Sequence, residues 1–433
     1  MEPFVNREPE LRLVDEAFQT LLDGDRLLRT PIIEFQGIGG IGKTFLLQKI
    51  LEHCRAQNIK PLLIDVGKNP DTIGQEIIKQ VRTHLPSIDE TTDISAINAT
   101  RMLLREEPVV MLLDAVDTAD DRQQKQITAM LRALLDDEKF FVILTSKQLL
   151  TFGQERSVAR KLTSHSLKAI ERKDCNMYVT KLKHQVDPEV RDMVFDWTRG
   201  YPRAMNVMAQ AIDSGSDPRT PQGKQDILTL LQEKVINEGV LAQSSEEDKQ
   251  RYHIILQLFS IPRRFNLVLM QDLIENFANE QRRDNTMDYI PLLREINDEA
   301  DNILHWDMAR AGYCIDEPLR FIFLLLVKME RPDWYRTIQE FLAHTNLQLA
   351  TDIKVPERSF DRVRYVRECF YHTACLPETP EKDALLEQAL KIVMQETPEE
   401  IMQFATEFAQ DEELREELGD HLATLQALIG ERL

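Results

Sequence analysis

One loop constrains this sequence more than any other feature: a glycine-rich stretch within residues 31–50, between an apolar strand and an amphipathic helix. The strand is predicted from Ile32, Ile33 and Phe35, and the helix from Phe45 onward. The loop fits the pattern G-x-x-x-x-G-K-[ST] at each fixed position. Its residues are Gly37, Ile38, Gly39, Gly40, Ile41, Gly42, Lys43 and Thr44. The pattern predicts a site for a nucleoside triphosphate, in which Phe45 also belongs to the binding residues.

The residue types in the loop suit a polyphosphate. Clustered negative charge needs several backbone N–H donors aimed at one place, and the glycines allow the positive φ values and close approach that this requires. Lys43 supplies a cation for the β- and γ-phosphates. Thr44 supplies a hydroxyl for Mg²⁺, which takes hard oxygen ligands. The alternative is a chance glycine loop, and the flanking strand and helix argue against it.

Apolar runs predict three further strands, at residues 61–66, 108–114 and 140–145, and helical patterns alternate with them. A lead-in helix is predicted before the loop strand, within residues 1–30. Strands that alternate with helices form a parallel sheet with helices on both faces, so the fold class is a three-layer α/β P-loop domain. Ligands of such sheets lie beyond the carboxyl ends of the strands.

Polar residues at those strand ends are the candidates for chemistry. Asp114 ends a strand that we expect beside the loop strand, where it would hold Mg²⁺ through the water shell, or it is an ordinary strand-end aspartate. Asp117 is a candidate to orient or deprotonate the attacking water, or it is a turn or cap residue. Thr145, Ser146 and Lys147 either bring a hydroxyl or a cation near the γ-phosphate or form a plain strand-to-helix turn.

Beyond about residue 165 the strand pattern largely stops. Short helices are predicted within residues 173–212, and residues 214–223, rich in Ser, Gly, Asp and Pro, make the best linker. Three helices within residues 249–296 and a hairpin at 303–315 suggest a winged helix. We therefore divide the chain into a P-loop nucleotide-binding domain (1–165), a helical lid (166–222), a winged-helix domain (223–330) and a C-terminal helical region (331–433).

Charge and cysteine content argue against several other classes. The formal net charge of −20 over 433 residues argues against wrapping DNA or an anionic membrane, although a local basic patch stays possible. No stretch of eighteen apolar residues and no apolar amino-terminal core is present, so neither a membrane span nor a secretory signal is expected. Five scattered cysteines without a C-x-x-C pair indicate buried thiols in a reducing cytoplasm. The acidic tail from Glu396 is interpreted as a solvated helix face, or else as a partner-binding tail.

Several motifs together resemble the nucleotide-binding core of the STAND ATPases, signal-transduction proteins of the NB-ARC and NACHT type, and a bacterial member is expected. The loop matches that class, and residues 111–117 are similar to its second acidic motif. The fourth strand ends in Thr145-Ser146-Lys147, where the family has Thr-Ser-Arg. Residues 200–204 resemble the Gly-x-Pro motif of the helical lid, in which Pro202 would pack on adenine. Residues 4–8 resemble the family lead-in, which implies that Val5 and Arg7 meet the adenine end.

The resemblance implies a cytoplasmic switch that binds ATP or ADP with Mg²⁺, hydrolyses ATP slowly, and changes its domain arrangement and assembly. The implied partners are further copies of the chain in the ATP state and an effector or sensor protein, with no membrane. The family ends its winged helix in Met-His-Asp, whose His touches ADP. The equivalent here is Cys314-Ile315-Asp316, and Ile315 cannot donate that hydrogen bond.

Two other functions stay open. One is a DNA-binding regulator that uses the winged helix under ATPase control, for which Arg263, Arg264, Arg282 and Arg283 are the local basic residues. The other is a nucleotide-binding scaffold without turnover. Steady metabolic or helicase-like ATPase work is not expected, since the sequence shows no substrate-site constellation.

Overall fold

A computed structural model gives the structure of the chain. It describes residues 5–23, 28, 30–67, 73–88, 93–150, 152, 155–182, 186–352 and 359–419. The chain divides into two compact units, Met1–Val240 and Leu241–Leu433. The boundary predicted between residues 222 and 223 falls inside the first unit, and the four-domain division remains a prediction.

The first unit is built on a five-stranded parallel sheet. Its strands are β1 (Ile32–Gln36), β2 (Lys60–Asp65), β3 (Val109–Asp114), β4 (Phe140–Ser146) and β5 (Leu162–Ser166). Their order across the sheet is β2-β3-β4-β1-β5. Strands β3 and β4 are buried along their whole length, as expected for apolar strands covered by helices on both faces. The predicted α/β fold class is confirmed.

The strand order corrects one prediction. Asp114 was expected on a strand beside the loop strand, but β1 pairs with β4 and β5, whereas β3 pairs with β2 and β4. Strand β4 therefore lies between the loop strand and the strand of Asp114. Apolar strands of similar length carry no local mark of their order in the sheet. Strand β5 was not predicted, because its sequence is mostly polar and its side chains are only half-buried at the sheet edge.

Helices flank this sheet close to their predicted positions. They are α1 (Glu8–Asp23), α2 (Lys43–Ala56), α3 (Ile73–His84), α4 (Ala96–Glu106), α5 (Asp121–Leu134) and the short α6 (Arg156–Ala159). Asp71, expected to cap α3, lies outside the described residues. Apolar side chains from α3, α4 and α5 join those of β2, β3 and β4 in one buried core.

A helical segment completes the first unit. It contains α7 (Arg172–Leu182), α8 (Pro188–Thr198), α9 (Pro202–Asp213), α10 (Pro221–Leu231) and a π-helix (Gln232–Val240). Helix α10 packs on α9, so residues 214–220 form a turn between packed helices and not a linker between units. The polar residues that suggested a linker include the cap of α10, because the Thr220 hydroxyl accepts a hydrogen bond from the Gly223 amide.

The second unit contains the predicted three helices and hairpin, followed by helices alone. The helices are α11 (Glu246–Ser260), α12 (Leu267–Phe277) and α13 (Tyr289–Glu299), and the antiparallel hairpin is β6 (Leu304–Asp307) with β7 (Gly312–Ile315). Its assignment as a winged helix remains a prediction. The later helices are α14 (Glu317–Glu330), α15 (Pro332–Asp352), α16 (Ser359–Ala374), α17 (Pro380–Val393), α18 (Pro398–Gln410) and α19 (Glu412–Leu418).

The predictions about membrane spans and about cysteines can be compared with the structure. None of the helices in the described residues combines the length and apolarity that crossing a bilayer requires. All five cysteines are free thiols; Cys54, Cys175, Cys314 and Cys369 are buried, and Cys375 is half-buried. Burial raises the pKa of the Cys54 thiol to about 12.

Much of the acidic carboxyl-terminal segment pairs with cations inside the second unit. Arg263 donates hydrogen bonds to Glu368 and Asp411, and the buried Arg320 donates two to Glu413. Further ion pairs join Glu396, Glu407 and Glu417 to Arg362, Arg367 and Lys328. The interpretation of this segment as a solvated face therefore holds only in part, for exposed residues such as Glu399 and Glu412.

A buried histidine next to these ion pairs predicts acid sensitivity. His372 Nδ1 lies 2.6 Å from Gln339 Oε1, and burial lowers the His372 pKa to about 3. In the unfolded chain the ring titrates near 6.5, so the unfolded state takes up its proton first. The stability that the neutral ring contributes is present above pH 6.5 and falls as pH drops toward 3. Acidification from pH 7 to 4.5 should cost about 2–3 kcal/mol through this residue.

The measurement is thermal unfolding of the wild-type protein and of His372→Gln at both pH values. The variant is needed because other groups titrate in this range: burial lowers the pKa of His253 to about 4 and raises that of Asp316 to about 7. Asp316 acts in the opposite direction, since a raised carboxyl pKa adds stability at low pH. The wild type should lose more Tm on acidification than the variant. Equal losses would show that His372 takes no part.

Candidate functional site

The glycine-rich loop runs from the end of β1 into the first turn of α2. Gly40 and Gly42 have φ values of 75° and 102°, which residues with a Cβ rarely adopt. Gly42 is the N-cap of α2 and offers no side chain to the first helical amides, so these N–H groups remain available to an anion. Lys43 Nζ donates hydrogen bonds to the carbonyl oxygens of Gly37 and Ile38. The ammonium group therefore lies over the loop.

Asp114 contacts the loop in spite of the intervening strand. Thr44 Oγ1 donates a hydrogen bond to Asp114 Oδ2 at 2.8 Å, and Thr145 Oγ1 donates one to Asp114 Oδ1. The Ala115 amide in turn donates to Thr145 Oγ1 at 2.9 Å. The two residues predicted as Mg²⁺ ligands, Thr44 and Asp114, thus bring their oxygen atoms together. Thr145 on β4 bridges the gap that the strand order creates.

These two oxygens fit a magnesium ion that takes its other ligands from phosphate and water. Mg²⁺ keeps several waters and uses one or two protein oxygens together with substrate phosphates. Within the described residues, no group of three or more His, Cys, Asp and Glu side chains is arranged to hold a metal ion by itself. The donor set at Thr44 and Asp114 is therefore of the kind that accompanies a nucleotide.

The Ser146 hydroxyl faces away from the loop. Ser146 is fully buried, and its Oγ donates a hydrogen bond to Glu34 Oε1 at 2.7 Å. Only its backbone meets the phosphate loop, since its carbonyl oxygen accepts a hydrogen bond from the Gly37 amide at 3.1 Å. Lys147 follows directly and is half-buried. Of the three residues predicted after β4, Thr145 is the one whose side chain joins Asp114.

Asp117 lies in a short 3-10 turn, Val116–Thr118, which follows Ala115 in left-handed conformation. Its Oδ1 is buried and has no hydrogen-bond partner among the described residues. The predicted alternative was a turn or cap residue. Asp117 does lie in a turn, whereas the cap of α5 is Asp120, which accepts a hydrogen bond from the Gln123 amide. Asp117 instead lines a cleft of about 660 Å³ beside α5. An unpaired carboxylate oxygen at this point is free to accept a hydrogen bond from water.

A cavity of about 400 Å³ joins the loop to the lead-in segment and the lid helix. Its lining includes predicted residues from three separate parts of the chain, namely Val5, Arg7, residues 40–45 and Pro202. Phe4 lies outside the described residues. The lining also contains residues that we did not predict: Ile170, Tyr178, Arg203, Met205 and Asn206. Arg203 directly follows the Gly-x-Pro motif of the lid, and this position is a signal for it. The other four follow ordinary helix and loop patterns, which do not distinguish them from core residues.

Arg7 binds the loop through a backbone carbonyl oxygen. Its side chain is 5% exposed, and one guanidinium nitrogen donates hydrogen bonds to the carbonyl oxygens of Ile41 and Lys168, both at 2.9 Å. Burial lowers the pKa of Arg7, and nearby Glu10 partly opposes this. The contacts tie the loop to the segment after β5. Arg7 therefore fixes the position of Ile41 while it also lines the cavity.

The lid motif contacts the other side of the loop. Tyr201 is buried, and its hydroxyl donates a hydrogen bond to the Gly39 carbonyl oxygen. Gly200 precedes it with φ of 74°, and Pro202 is in the first turn of α9. Arg203 packs against Gly40 and donates to the carbonyl oxygens of Lys234 and Glu238 in the π-helix. The lid helix is thus in direct contact with the phosphate loop.

Comparison with known families agrees with this geometry. Residues 11–175 match the family model of the NB-ARC domain. The chain contains an NB-ARC domain. This confirms the resemblance to the STAND class of P-loop ATPases that the loop, the acidic strand end and the lid motif predicted. A search of curated proteins finds no match to this sequence.

Solved structures with a similar arrangement come from several proteins. The Orc1 protein of Aeropyrum pernix, solved in complex with DNA, is 14% identical; the match covers 78% of this chain and 95% of that one, with a TM-score of 0.42. A STAND protein with a tetratricopeptide repeat sensor from Pyrococcus horikoshii is 14% identical over 100% of this chain and 57% of its own, with a TM-score of 0.37. AMPPCP-bound DnaA from Aquifex aeolicus is 18% identical over 68% and 96%, with a TM-score of 0.39.

The glycine of the lid motif gives a stability prediction. A Cβ at Gly200 would lie 1.8 Å from the Ile170 carbonyl oxygen, and the positive φ adds strain. We expect Gly200→Ala to destabilise the first unit by about 3 kcal/mol or more, a fall in Tm of roughly 5–10 °C. Gly74→Ala in α3 is the control, since its nearest neighbour would be at 3.8 Å and alanine favours the helix. Thermal unfolding measures both, and equal Tm values would contradict the packing described.

Proposed function

We propose that this NB-ARC protein is a nucleotide-dependent signalling switch. It binds ATP or ADP with Mg²⁺, hydrolyses ATP slowly, and changes its domain arrangement and assembly with the state of the nucleotide. The observation that supports this most directly is the single cavity of about 400 Å³ that the loop, the lead-in residue Val5 and the lid residue Pro202 line together. Its size suits a small-molecule ligand.

At the phosphate end, Lys43 exchanges its loop carbonyl partners for the β- and γ-phosphates, because a hydrogen bond between two charged groups is stronger than one to a neutral carbonyl. Thr44 and Asp114 would hold Mg²⁺, whose charge offsets that of the phosphates. Backbone N–H donors come from Ile38, Gly39 and the other loop residues except Gly37 and Ile41, whose amides donate to the carbonyl oxygens of Ser146 and Ile38.

For hydrolysis, Asp117 orients or deprotonates the water. Its buried Oδ1 lacks a hydrogen-bond partner among the described residues, which supports this role. Lys147 senses the outer phosphate from the segment after β4. A lysine there acts as a point charge, without the planar fork that arginine offers.

At the other end, Val5 and Pro202 hold the adenine. Ile170, Tyr178 and Met205 complete an apolar wall, as expected for a flat heteroaromatic base. Arg7 contributes mainly by fixing the loop through the Ile41 carbonyl oxygen.

The switch follows from the contact between loop and lid. Tyr201 bonds to Gly39, and Arg203 reaches from Gly40 to the π-helix, so a change at the phosphates displaces α9. A ligand can bias two arrangements of a protein when it binds them with different affinity.

The experiment is a binding measurement on Lys43→Ala with ADP and with a non-hydrolysable ATP analogue. Loss of the ammonium should weaken both affinities by on the order of 100-fold, because charge-assisted contacts to two phosphates disappear. Lys49→Ala is the matched control, since Lys49 lies on the same helix, is not among the residues that line the cavity, and pairs with Glu52. It should bind like the wild type.

Unchanged affinity in Lys43→Ala would refute the site. Phosphate release by the wild type against Asp117→Asn then separates a slow ATPase from a nucleotide-binding scaffold. A scaffold would release no phosphate in either protein.

Assembly is tested by measuring particle mass with each nucleotide. The ADP form should remain the smaller species, and the non-hydrolysable ATP analogue with Mg²⁺ should increase the mass through association of further copies. Lys43→Ala should keep the same mass in both nucleotides. A wild-type mass that does not depend on the nucleotide would contradict the assembly part of the proposal, even if binding is normal.

A DNA-binding role has less support. Arg263 is buried and paired with Glu368 and Asp411. Ion pairs also join Arg282 to Glu275 and Arg283 to Glu295, and the Arg264 guanidinium lies over the Tyr365 ring. These basic residues are largely neutralised within the second unit, so they offer little free charge to phosphates.

A further inference from the structure

Glu34 is a buried carboxylate that the proposed reaction does not use. It lies in β1, just before the phosphate loop, and is 0% exposed. Its register neighbours are Leu144 on β4 and Ser164 on β5. Among the ion pairs of the described residues, none includes Glu34. A carboxylate without a counterion is costly to bury unless hydrogen bonds compensate, so its presence indicates a specific task.

Three donors satisfy this carboxylate, and two of them belong to one loop. Ser146 Oγ and the Leu150 amide donate to Oε1 at 2.7 and 2.9 Å, and Ser164 Oγ donates to Oε2. Residues 146–150 begin at the last residue of β4, and we name them the β4 loop. Glu34 Oε1 therefore holds both ends of the β4 loop, while Oε2 holds the edge strand β5.

The β4 loop borders the phosphate site. The Ser146 carbonyl oxygen accepts a hydrogen bond from the Gly37 amide, at the start of the glycine-rich loop. The preceding residue, Thr145, donates to Asp114. Lys147 lies between the two anchored residues of the β4 loop. One buried carboxylate thus joins the base of the phosphate loop to the segment that carries Lys147.

We propose that Glu34 is a positioning residue that fixes the β4 loop and thereby lets the site distinguish a triphosphate from a diphosphate. The inference rests on the proposed function, in which Lys147 senses the outer phosphate. Without the acceptor, the Ser146 hydroxyl and the Leu150 amide lose their partner, and the β4 loop leaves its position. Lys147 then moves away from the γ-phosphate. ADP lacks this group, so its binding is little affected.

Three variants separate positioning from general stability. Glu34→Leu removes both acceptor oxygens at similar volume. Glu34→Gln keeps one acceptor oxygen, and its amide can donate to the Ser164 hydroxyl, so it serves as the conservative rescue. Ser164→Ala removes the hydrogen bond on the β5 side alone and leaves the β4 loop anchored.

The measurement is the affinity of the full chain for ADP and for a non-hydrolysable ATP analogue, each with Mg²⁺. Glu34→Leu should lower the affinity for the analogue about tenfold and change that for ADP less than about twofold. Glu34→Gln should recover most of the loss, and Ser164→Ala should keep the wild-type ratio. An equal loss for both nucleotides, or an unchanged ratio, would overturn the proposal, because a purely structural role lowers stability without changing the ratio.

Hydrogen exchange without nucleotide tests the positioning independently. The Leu150 amide should exchange at least tenfold faster in Glu34→Leu than in the wild type and at the wild-type rate in Ser164→Ala; unchanged protection in Glu34→Leu would overturn the positioning. If the wild type binds neither nucleotide, the proposed function fails, and the exchange result still decides whether Glu34 holds the β4 loop. If Glu34→Leu does not fold, Ser146→Ala replaces it in the affinity measurement, with the same expected change in ratio.

Discussion

The site depends on a glycine-rich loop that keeps several backbone N–H groups directed at one place, where they can bind a polyphosphate. Gly40 and Gly42 adopt positive φ values so that the loop can turn its N–H groups to one place. Such a conformation needs support from its surroundings. Arg7 binds the Ile41 carbonyl oxygen from one side, and Tyr201 binds the Gly39 carbonyl oxygen from the other. Neither side chain occupies a loop amide, since both bind carbonyl oxygens.

Local patterns in the sequence predicted the phosphate loop, the four apolar strands and the position of Asp114 at a strand end near the loop. A parallel sheet brings all strand ends to one edge, so Asp114 reaches the loop although its strand is not adjacent to β1. The pairing order itself was not predictable, because it depends on contacts between distant segments. Strand β5 was not predicted for another reason. Its polar residues suit a half-buried edge of the sheet, and it lacks the apolar pattern that marks buried strands.

Side-chain partners were the least predictable part of the site. A serine after a strand can face the ligand or the sheet, and Ser146 faces Glu34. The acidic tail from Glu396 looked solvated, yet its Asp411 pairs with Arg263, which is 148 residues away in sequence. Ile170, Tyr178 and Met205 follow ordinary helix and loop patterns, so nothing local distinguished them from core residues. The ion pairs of the acidic tail could not be predicted either, because oppositely charged residues far apart in sequence become partners only in the folded chain.

Val5 lines the cavity and is itself buried. A bound ligand would therefore touch the lead-in segment as well as the loop and the lid helix, so one small molecule would contact three segments that are distant in sequence.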